Sequence, residues 1–159
     1  MFEATAYSGT REDNYATALS QLKALIDGEP DRIANLANAS ALLAQCLPDI
    51  NWSGFYLYDG KELVLGPFQG LPACIRIPMG RGVCGTAAQT RETQRIDDVH
   101  AFPGHIACDA ASNSEIVVPL VKDGELIGVL DIDSPEHARF DETDQDFLEE
   151  FSRILVAQL

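Results

Sequence analysis

The spacing of apolar residues along the chain changes from a helical period to a strand period and then back to a helical one. Apolar residues at helical spacing predict helices over 14–28 and 31–47, with Asp31 as the N-cap of the second. A further apolar stripe predicts a last helix that begins near Asp141. The chain is therefore predicted to begin and end with helices around a central region of strands.

The central region is rich in aromatic and β-branched residues in short runs. Asp59-Gly60 and Asp123-Gly124 each separate two such runs and predict β-hairpins. Glycines surround one short predicted helix, over 83–90. The predicted strands cover 52–58, 62–65, 74–78, 94–97, 116–121 and 126–132. This order predicts an α+β fold with an antiparallel sheet of about six strands and helices packed on one face, in one domain over 1–159.

Composition narrows the classes of partner. The 159 residues include 11 basic and 25 acidic side chains, for a net charge of −14. This charge repels nucleic acid and anionic lipid, and no apolar run is long enough to span a membrane. The first residues show neither a basic nor an apolar signal region, which predicts a cytoplasmic protein. The N-terminal helices offer a surface through which two copies could form a homodimer.

Three of the four cysteines, Cys74, Cys84 and Cys108, fall within 35 central residues. Disulfides are rare in a reducing compartment unless they are catalytic or redox-sensing, so the cluster indicates thiol chemistry. Cys84 lies in the first turn of the short helix, where the helix dipole favours a thiolate. Cys108 lies in a segment without clear period, over 99–114. The fourth cysteine, Cys46, is predicted to be a small core residue.

Two other interpretations of the cysteines remain open. All three central cysteines could be buried and inert, because free cysteine is often a core residue. His100 and His105 could join them at a metal ion, but the spacings match no zinc-ribbon or zinc-finger pattern. We therefore expect no metal ion and no other cofactor.

Carboxylates cluster on the second predicted hairpin. Asp131 and Asp133 are two residues apart and point to one face of their strand. A two-residue turn at Asp123-Gly124 would place Glu115 on the other face, whereas a three-residue turn that includes Lys122 would pair Glu115 with Asp131. We predict the three-residue turn and three carboxylates on one face. Such packing raises at least one pKa and creates a proton donor near neutral pH, and the cluster also suits a substrate ammonium group.

Several motifs together resemble one known family. The helix start Gly80-Arg81-Gly82-Val83-Cys84-Gly85 and the strand over 124–130 resemble the GAF fold. Within that fold, the chain resembles the free methionine-R-sulfoxide reductases, and the resemblance covers nearly its whole length. The matching segments are 51–56, 66–70, 82–85, 99–109, 112–119 and 130–135.

The resemblance implies the substrate, free L-methionine-(R)-sulfoxide, and the roles of the site residues. Cys108 is implied to be the nucleophile, with Cys74 and Cys84 as resolving thiols. Glu115, Asp131 and Asp133 are implied to line the sulfoxide pocket, with Trp52 as its apolar wall. Attack by Cys108 leaves a sulfenic acid, which condenses with Cys74 or Cys84 to a disulfide that thioredoxin reduces.

Substrate recognition and one alternative function follow from this picture. The backbone amides around residues 112–116 are candidates for binding the substrate carboxylate, and the segment 99–114 is a candidate lid. A non-catalytic GAF module that senses a small molecule is the alternative, because a fold alone does not determine function. The three central cysteines favour the enzyme, since a sensor does not need them.

Overall fold

The described residues fold into a six-stranded sheet and four α-helices. A computed structural model describes residues 6–106 and 110–159. Within these ranges, no helix combines the length and the apolar character needed to cross a membrane. The elements, in chain order, are α1 (Arg11–Ile26), α2 (Arg32–Cys46), β1 (Trp52–Tyr58), β2 (Glu62–Gly70), β3 (Arg76–Pro78), α3 (Gly82–Thr90), β4 (Gln94–Ile96), β5 (Ser114–Lys122), β6 (Glu125–Ser134) and α4 (Glu142–Val156).

Two predicted helix starts are confirmed at their capping residues. The side chain of Asp31 accepts a hydrogen bond from the amide of Ala34 at 2.8 Å. Asp141 caps α4 in the same way and forms a reciprocal capping box with Asp144. Helix α1 begins at Arg11, earlier than predicted, because the hydroxyl of Thr10 supplies its cap.

Strand β2 is longer than the sequence predicted. It continues through Pro67 to Gly70, which pairs with Trp52 at the start of β1. On its other side, β3 pairs only with residues 62–64 of β2. Pro67 therefore lies in a part of β2 without a neighbour on that side, where a missing amide donor is tolerated.

The sheet is antiparallel, in the order β3-β2-β1-β6-β5-β4, and the α+β prediction is confirmed. Helices α1, α2 and α4 cover one face in a large hydrophobic core, into which Phe55 of β1 points. Helix α3 packs on the opposite face, where Trp52 and Tyr56 of β1 contact a smaller cluster. The prediction placed the helices on one face, and α3 on the other face encloses the candidate site.

The second hairpin has a different turn from the predicted one, yet its acids share a face. Asp123 and Gly124 form a two-residue turn with φ values of 52° and 78°, and Lys122 pairs with Glu125. A register shift between Leu120 and Val121 then displaces the pairing by one residue. The shift places Glu115 opposite Asp133, not opposite Asp131 as predicted. Because a β-bulge changes which side chains face together, it restores the common face that the two-residue turn alone would have lost.

We expect Gly54→Ala to destabilise the protein by about 1–3 kcal/mol, because the site face of β1 has no room for a methyl group. A Cβ on Gly54 would lie 2.3 Å from the Cβ of Phe68 and 2.9 Å from the Trp52 ring. Urea unfolding followed by the fluorescence of the lone tryptophan measures the change. Gly9→Ala is the control, since the nearest atom to its Cβ would be the Cβ of Asp13 at 3.0 Å, a much smaller overlap than at Gly54. Equal stability of the two variants would contradict the expected clash.

Candidate functional site

A cavity lies between α3 and the face of the sheet opposite the large core. Strands β1, β5 and β6 supply its floor, α3 supplies one wall, and the segments after β2 and before β5 supply the rest. The residues that line it are Trp52, Tyr56, Leu71, Pro72, Ala73, Ile77, Arg81, Gly82, Val83, Cys84, His105, Ile106, Ser112, Glu115, Asp131 and Asp133. The structure thus brings Trp52, Cys84 and all three predicted carboxylates to one cavity.

The carboxylates lie side by side on neighbouring strands. Glu115 of β5 pairs with Asp133 of β6, and Asp133 pairs in turn with Trp52 of β1. Asp131 lies two residues before Asp133, on the same face. Glu115 and Asp131 are buried, at 7% and 5% exposure, and Asp133 is half-buried. The predicted common face is therefore confirmed, and its acids are largely removed from water.

Burial and mutual repulsion keep a proton on this cluster. Burial raises the pKa of Glu115 well above its usual range, and the charges of Asp131 and Asp133 raise it further. Burial also raises the pKa of Asp131, although its hydrogen bonds with Glu115, Asp133 and Cys84 act in the opposite direction. Because these groups titrate together, the proton belongs to the cluster, with Glu115 as its main holder.

Cys84 lies against this acid cluster and is not the thiolate that its helix position predicted. Its thiol donates a hydrogen bond to Oε2 of Glu115 at 3.8 Å, and its side chain is buried. Burial raises the pKa of Cys84 well above its usual value, and the charges of Asp131, Glu115 and Asp133 raise it further. The favourable effect of the helix start is overcome by desolvation and by neighbouring acids. Cys84 is therefore a protonated thiol.

The other described cysteines have different environments. Cys46 is buried in the large core as predicted, and burial raises its pKa to about 11. Cys46 and Cys84 are free thiols, whereas Cys74 is half-buried and disulfide-bonded. Cys108, the predicted nucleophile, lies outside the described residues.

An aromatic wall holds the segment that carries Cys74. Trp52 stacks between Tyr56 and Phe68, with ring centroids 5.9 Å and 5.1 Å away. The indole of Trp52 donates a hydrogen bond to the carbonyl of Leu71 at 3.1 Å, and the hydroxyl of Tyr56 donates to the carbonyl of Cys74 at 2.9 Å. The sequence analysis missed Tyr56, although its position four residues after Trp52 on one strand places both on the same face.

The segment predicted to be an irregular loop is closed at its base by hydrogen bonds. The amide of Val99 donates to the carbonyl of Asn113 at 2.9 Å, and the amide of Asn113 donates to the carbonyl of Ser134 at 2.8 Å. The side chain of Asn51 donates to the hydroxyl of Ser112 at 3.1 Å. Residues on both sides of 107–109 line the cavity, namely His105, Ile106 and Ser112.

Arg81 is a second lining residue that the sequence analysis missed. It is exposed at the N-cap of α3, whereas Glu115 and Asp131 lie buried at the cavity floor. In the described part of the chain, the Arg81 side chain has no hydrogen bond or ion pair. The cavity therefore combines buried acids with a cation at its exposed end.

Among the described residues, His100 and His105 are not part of a group of potential metal ligands. His100 is exposed and its ring lies 5.9 Å from that of His105. Burial and the neighbouring His100 lower the pKa of His105. In residues 6–106 and 110–159, the grouping of potential metal ligands consists of Cys84, Glu115 and Asp131, without a histidine.

Comparisons with known proteins agree with this architecture. Residues 28–159 match the GAF domain family. The free methionine-R-sulfoxide reductase of Escherichia coli is 61% identical over 145 residues, which cover 91% of this chain and 86% of that protein. The enzyme of the same name from Saccharomyces cerevisiae is 45% identical, covering 91% of this chain and 85% of that protein.

A solved structure gives the same result at the level of the fold. The free methionine-R-sulfoxide reductase from Neisseria meningitidis, in complex with its substrate, superposes with a TM-score of 0.93. It is 48% identical to this chain, and the match covers 99% of this chain and 95% of that one. The chain therefore belongs to the GAF domain family and, within it, to the free methionine-R-sulfoxide reductases.

Proposed function

We propose that this protein reduces free L-methionine-(R)-sulfoxide to methionine by thiol chemistry. The observation that carries the proposal is the buried cluster of Glu115, Asp131 and Asp133, which faces one cavity beside an aromatic wall. An acid that holds its proton suits the oxygen of a sulfoxide, and ionised acids suit an ammonium group. The aromatic rings of Trp52 and Tyr56 offer apolar contact to the methyl and methylene groups between these two ends.

Cys108 is the nucleophile of this proposal. The residues His105, Ile106 and Ser112, on either side of its segment, line the cavity, which supports an approach of Cys108 to the acids. Cys84 is disfavoured as the nucleophile, because burial and neighbouring carboxylates raise its pKa and keep it protonated.

The reaction moves one oxygen atom and two electrons. The thiolate of Cys108 attacks the sulfoxide sulfur while a cluster carboxylic acid protonates the oxygen. The oxygen passes to Cys108 as a sulfenic acid, and methionine departs with its sulfur reduced by two electrons. Glu115 is the proposed donor because its pKa is raised well above the usual range. General acid catalysis of this kind contributes about 10²–10⁴-fold in rate.

Cys74 is the proposed resolving thiol. Its sulfur attacks the sulfenic acid, releases water and forms a disulfide with Cys108. The disulfide-bonded state of Cys74 and the free state of Cys84 support this choice. A dithiol donor, proposed to be thioredoxin in the reducing cytoplasm, then exchanges with the disulfide and restores both thiols.

Arg81 is proposed to bind the carboxylate of the free amino acid. The amides of 113–116 are poor candidates, because that of Asn113 donates to the carbonyl of Ser134 and residues 114–116 pair with β6. Arg81 lines the cavity at its exposed end, and its side chain has no hydrogen-bond or ion-pair partner among the described residues. A guanidinium forms paired hydrogen bonds with a carboxylate, so Arg81 would favour the free amino acid over a peptide-bound residue.

We expect Cys108→Ser to abolish reduction of free methionine-(R)-sulfoxide, because serine provides no thiolate. The measurement is NADPH consumption coupled through thioredoxin and its reductase, with the R and S epimers supplied separately. Cys46→Ser is the control, since Cys46 lies in the core on the opposite face of the sheet, and it should keep its activity. Normal turnover by Cys108→Ser would show that another cysteine is the nucleophile.

We expect Arg81→Gln to raise KM for free methionine-(R)-sulfoxide about tenfold or more with a smaller change in kcat, because a charge-assisted hydrogen bond contributes about 1.5–3 kcal/mol. The same variant should reduce the sulfoxide of methionine amide, which has no carboxylate, as well as the wild type does. Arg81→Lys should recover part of the loss, and Arg76→Gln, at an exposed site on β3, serves as control. An equal loss for both substrates would contradict the carboxylate role.

We expect Glu115→Gln to reduce the pH dependence of stability. The folded protein keeps a proton on Glu115, while the unfolded chain releases it above its ordinary pKa of 4.5. The contribution of Glu115 to stability is therefore fully present below that pKa and is lost as pH rises through the raised pKa of the folded state, by about 1.4 kcal/mol for each unit of difference. Urea unfolding from about pH 5 to about pH 9 measures the slope. Glu125→Gln, at an exposed position on the same hairpin, is the control and should keep the wild-type slope of unfolding free energy against pH. If Glu115→Gln also kept the wild-type slope, Glu115 would not be protonated in the folded protein.

A further inference from the structure

The cavity floor contains a thiol and two carboxylates in a compact group that suits a metal ion. Cys84, Glu115 and Asp131 each offer one ligand atom, and these atoms lie within 4.8 Å of one another. The three residues come from α3, β5 and β6 and are all buried. The geometry points to a Zn²⁺ site formed by Cys84, Glu115 and Asp131, whose occupation excludes the substrate.

An unpartnered oxygen supports a ligand at this place. Oδ1 of Asp131 is buried and has no hydrogen-bond partner in the described part of the chain. Asp131 is only 5% exposed, so water does not solvate it freely. A buried carboxylate oxygen without a partner is costly, and a cation that approaches it removes that cost.

One pair of ligand atoms has nearly the separation found around a tetrahedral zinc ion. With a Zn–S distance of about 2.3 Å and a Zn–O distance of about 2.0 Å, tetrahedral geometry separates sulfur and oxygen by about 3.5 Å. The Sγ of Cys84 lies 3.8 Å from Oε2 of Glu115, so a shift of a few tenths of an ångström would bring this pair to that separation. The three ligand atoms, including that of Asp131, lie within 4.8 Å of one another, and zinc would draw them together. Asp133, which lines the same cavity, or a water molecule would supply the fourth ligand.

The donor set selects the class of metal. A thiolate favours zinc and other thiophilic ions, whereas Mg²⁺ and Ca²⁺ prefer sites made of oxygen ligands alone. On binding, zinc replaces the proton of the Cys84 thiol and that of the Glu115 carboxyl group, both of which pass to solvent. The two positive charges of the ion also relieve the repulsion between the neighbouring carboxylates.

Zinc and substrate would compete for the same atoms. This consequence rests on the proposed function, in which Glu115 protonates the sulfoxide and the acid cluster binds the ammonium group. A zinc ion on Glu115 and Asp131 removes both contacts, so the metal acts as a competitive inhibitor. The site thus makes turnover sensitive to free zinc, although zinc takes no part in the reaction.

The experiment measures zinc binding without turnover. Protein carrying Cys108→Ser, which removes the proposed nucleophile as a competing ligand, is freed of metal and titrated with Zn²⁺ against a chromogenic chelator. We expect one Zn²⁺ per chain, bound at micromolar or lower concentration. Adding Cys84→Ala or, separately, Asp131→Asn should weaken binding at least tenfold, whereas adding Cys46→Ala should leave it unchanged. Circular dichroism verifies that each variant is folded, and the two separate variants keep the test valid if one fails to fold.

Three further measurements address ligand identity and competition. Co²⁺ in place of zinc should give a thiolate-to-metal absorption band that Cys84→Ala removes, and millimolar Mg²⁺ should not displace zinc. Free methionine-(R)-sulfoxide should weaken zinc binding in proportion to its concentration. Absence of zinc binding, or zinc binding that survives the loss of Cys84 and Asp131, would contradict the proposed zinc site. Zinc binding that the sulfoxide does not weaken would contradict the proposed competition between zinc and substrate. If the wild type fails to reduce the sulfoxide while zinc binding follows Cys84 and Asp131, only the proposed function fails.

Discussion

The site depends on one constraint, the burial of neighbouring carboxylates on the sheet. Neither Glu115 nor Asp131 has a basic partner among the described residues. Two ionised acids this close and this deep would repel each other strongly, so the fold tolerates them by keeping a proton on the cluster and by placing the Cys84 thiol against Glu115. Helix α3 can lie this close to β3 because Gly85 has no side chain, and a Cβ there would be 2.6 Å from the carbonyl of Pro78. The acid pair therefore requires both the protonated state and the tight packing of α3.

The two faces of the sheet have different roles, because one packs the large hydrophobic core and the other lines the cavity. The face covered by α1, α2 and α4 holds most of the large aliphatic and aromatic core residues. The other face has a smaller hydrophobic cluster and also carries the buried Glu115 and Asp131, whose removal from water is costly. The aromatic residues of β1 connect the two roles, because Trp52 and Tyr56 pack in the smaller core and also hold the backbone at Leu71 and Cys74 by hydrogen bonds. The sheet thus positions the segment that carries the disulfide-bonded Cys74.

The central cysteines illustrate how environment, and not residue type, determines thiol chemistry. Cys84 has the helix position that favours a thiolate, yet burial and nearby acids keep its proton in place. The soft sulfur of Cys84 and its contact with Glu115 are the features that suit it to the proposed metal site. Cys74, in contrast, is disulfide-bonded. One acid cluster is therefore proposed to bind a proton, an ammonium group or a divalent cation, since each of these supplies the positive charge that the buried oxygens lack.

The sequence by itself determined the elements, the α+β class and the family, because apolar period, capping residues and local motifs are properties of neighbouring residues. It also indicated that Glu115, Asp131 and Asp133 share a face, although this prediction assumed a three-residue turn that the protein does not form. Only the tertiary structure decided the register that pairs Glu115 with Asp133, the protonated state of Cys84, and the meeting of Cys84 with acids from two strands. A one-residue bulge in a hairpin and the burial of a side chain depend on contacts between distant segments, and no local pattern encodes them.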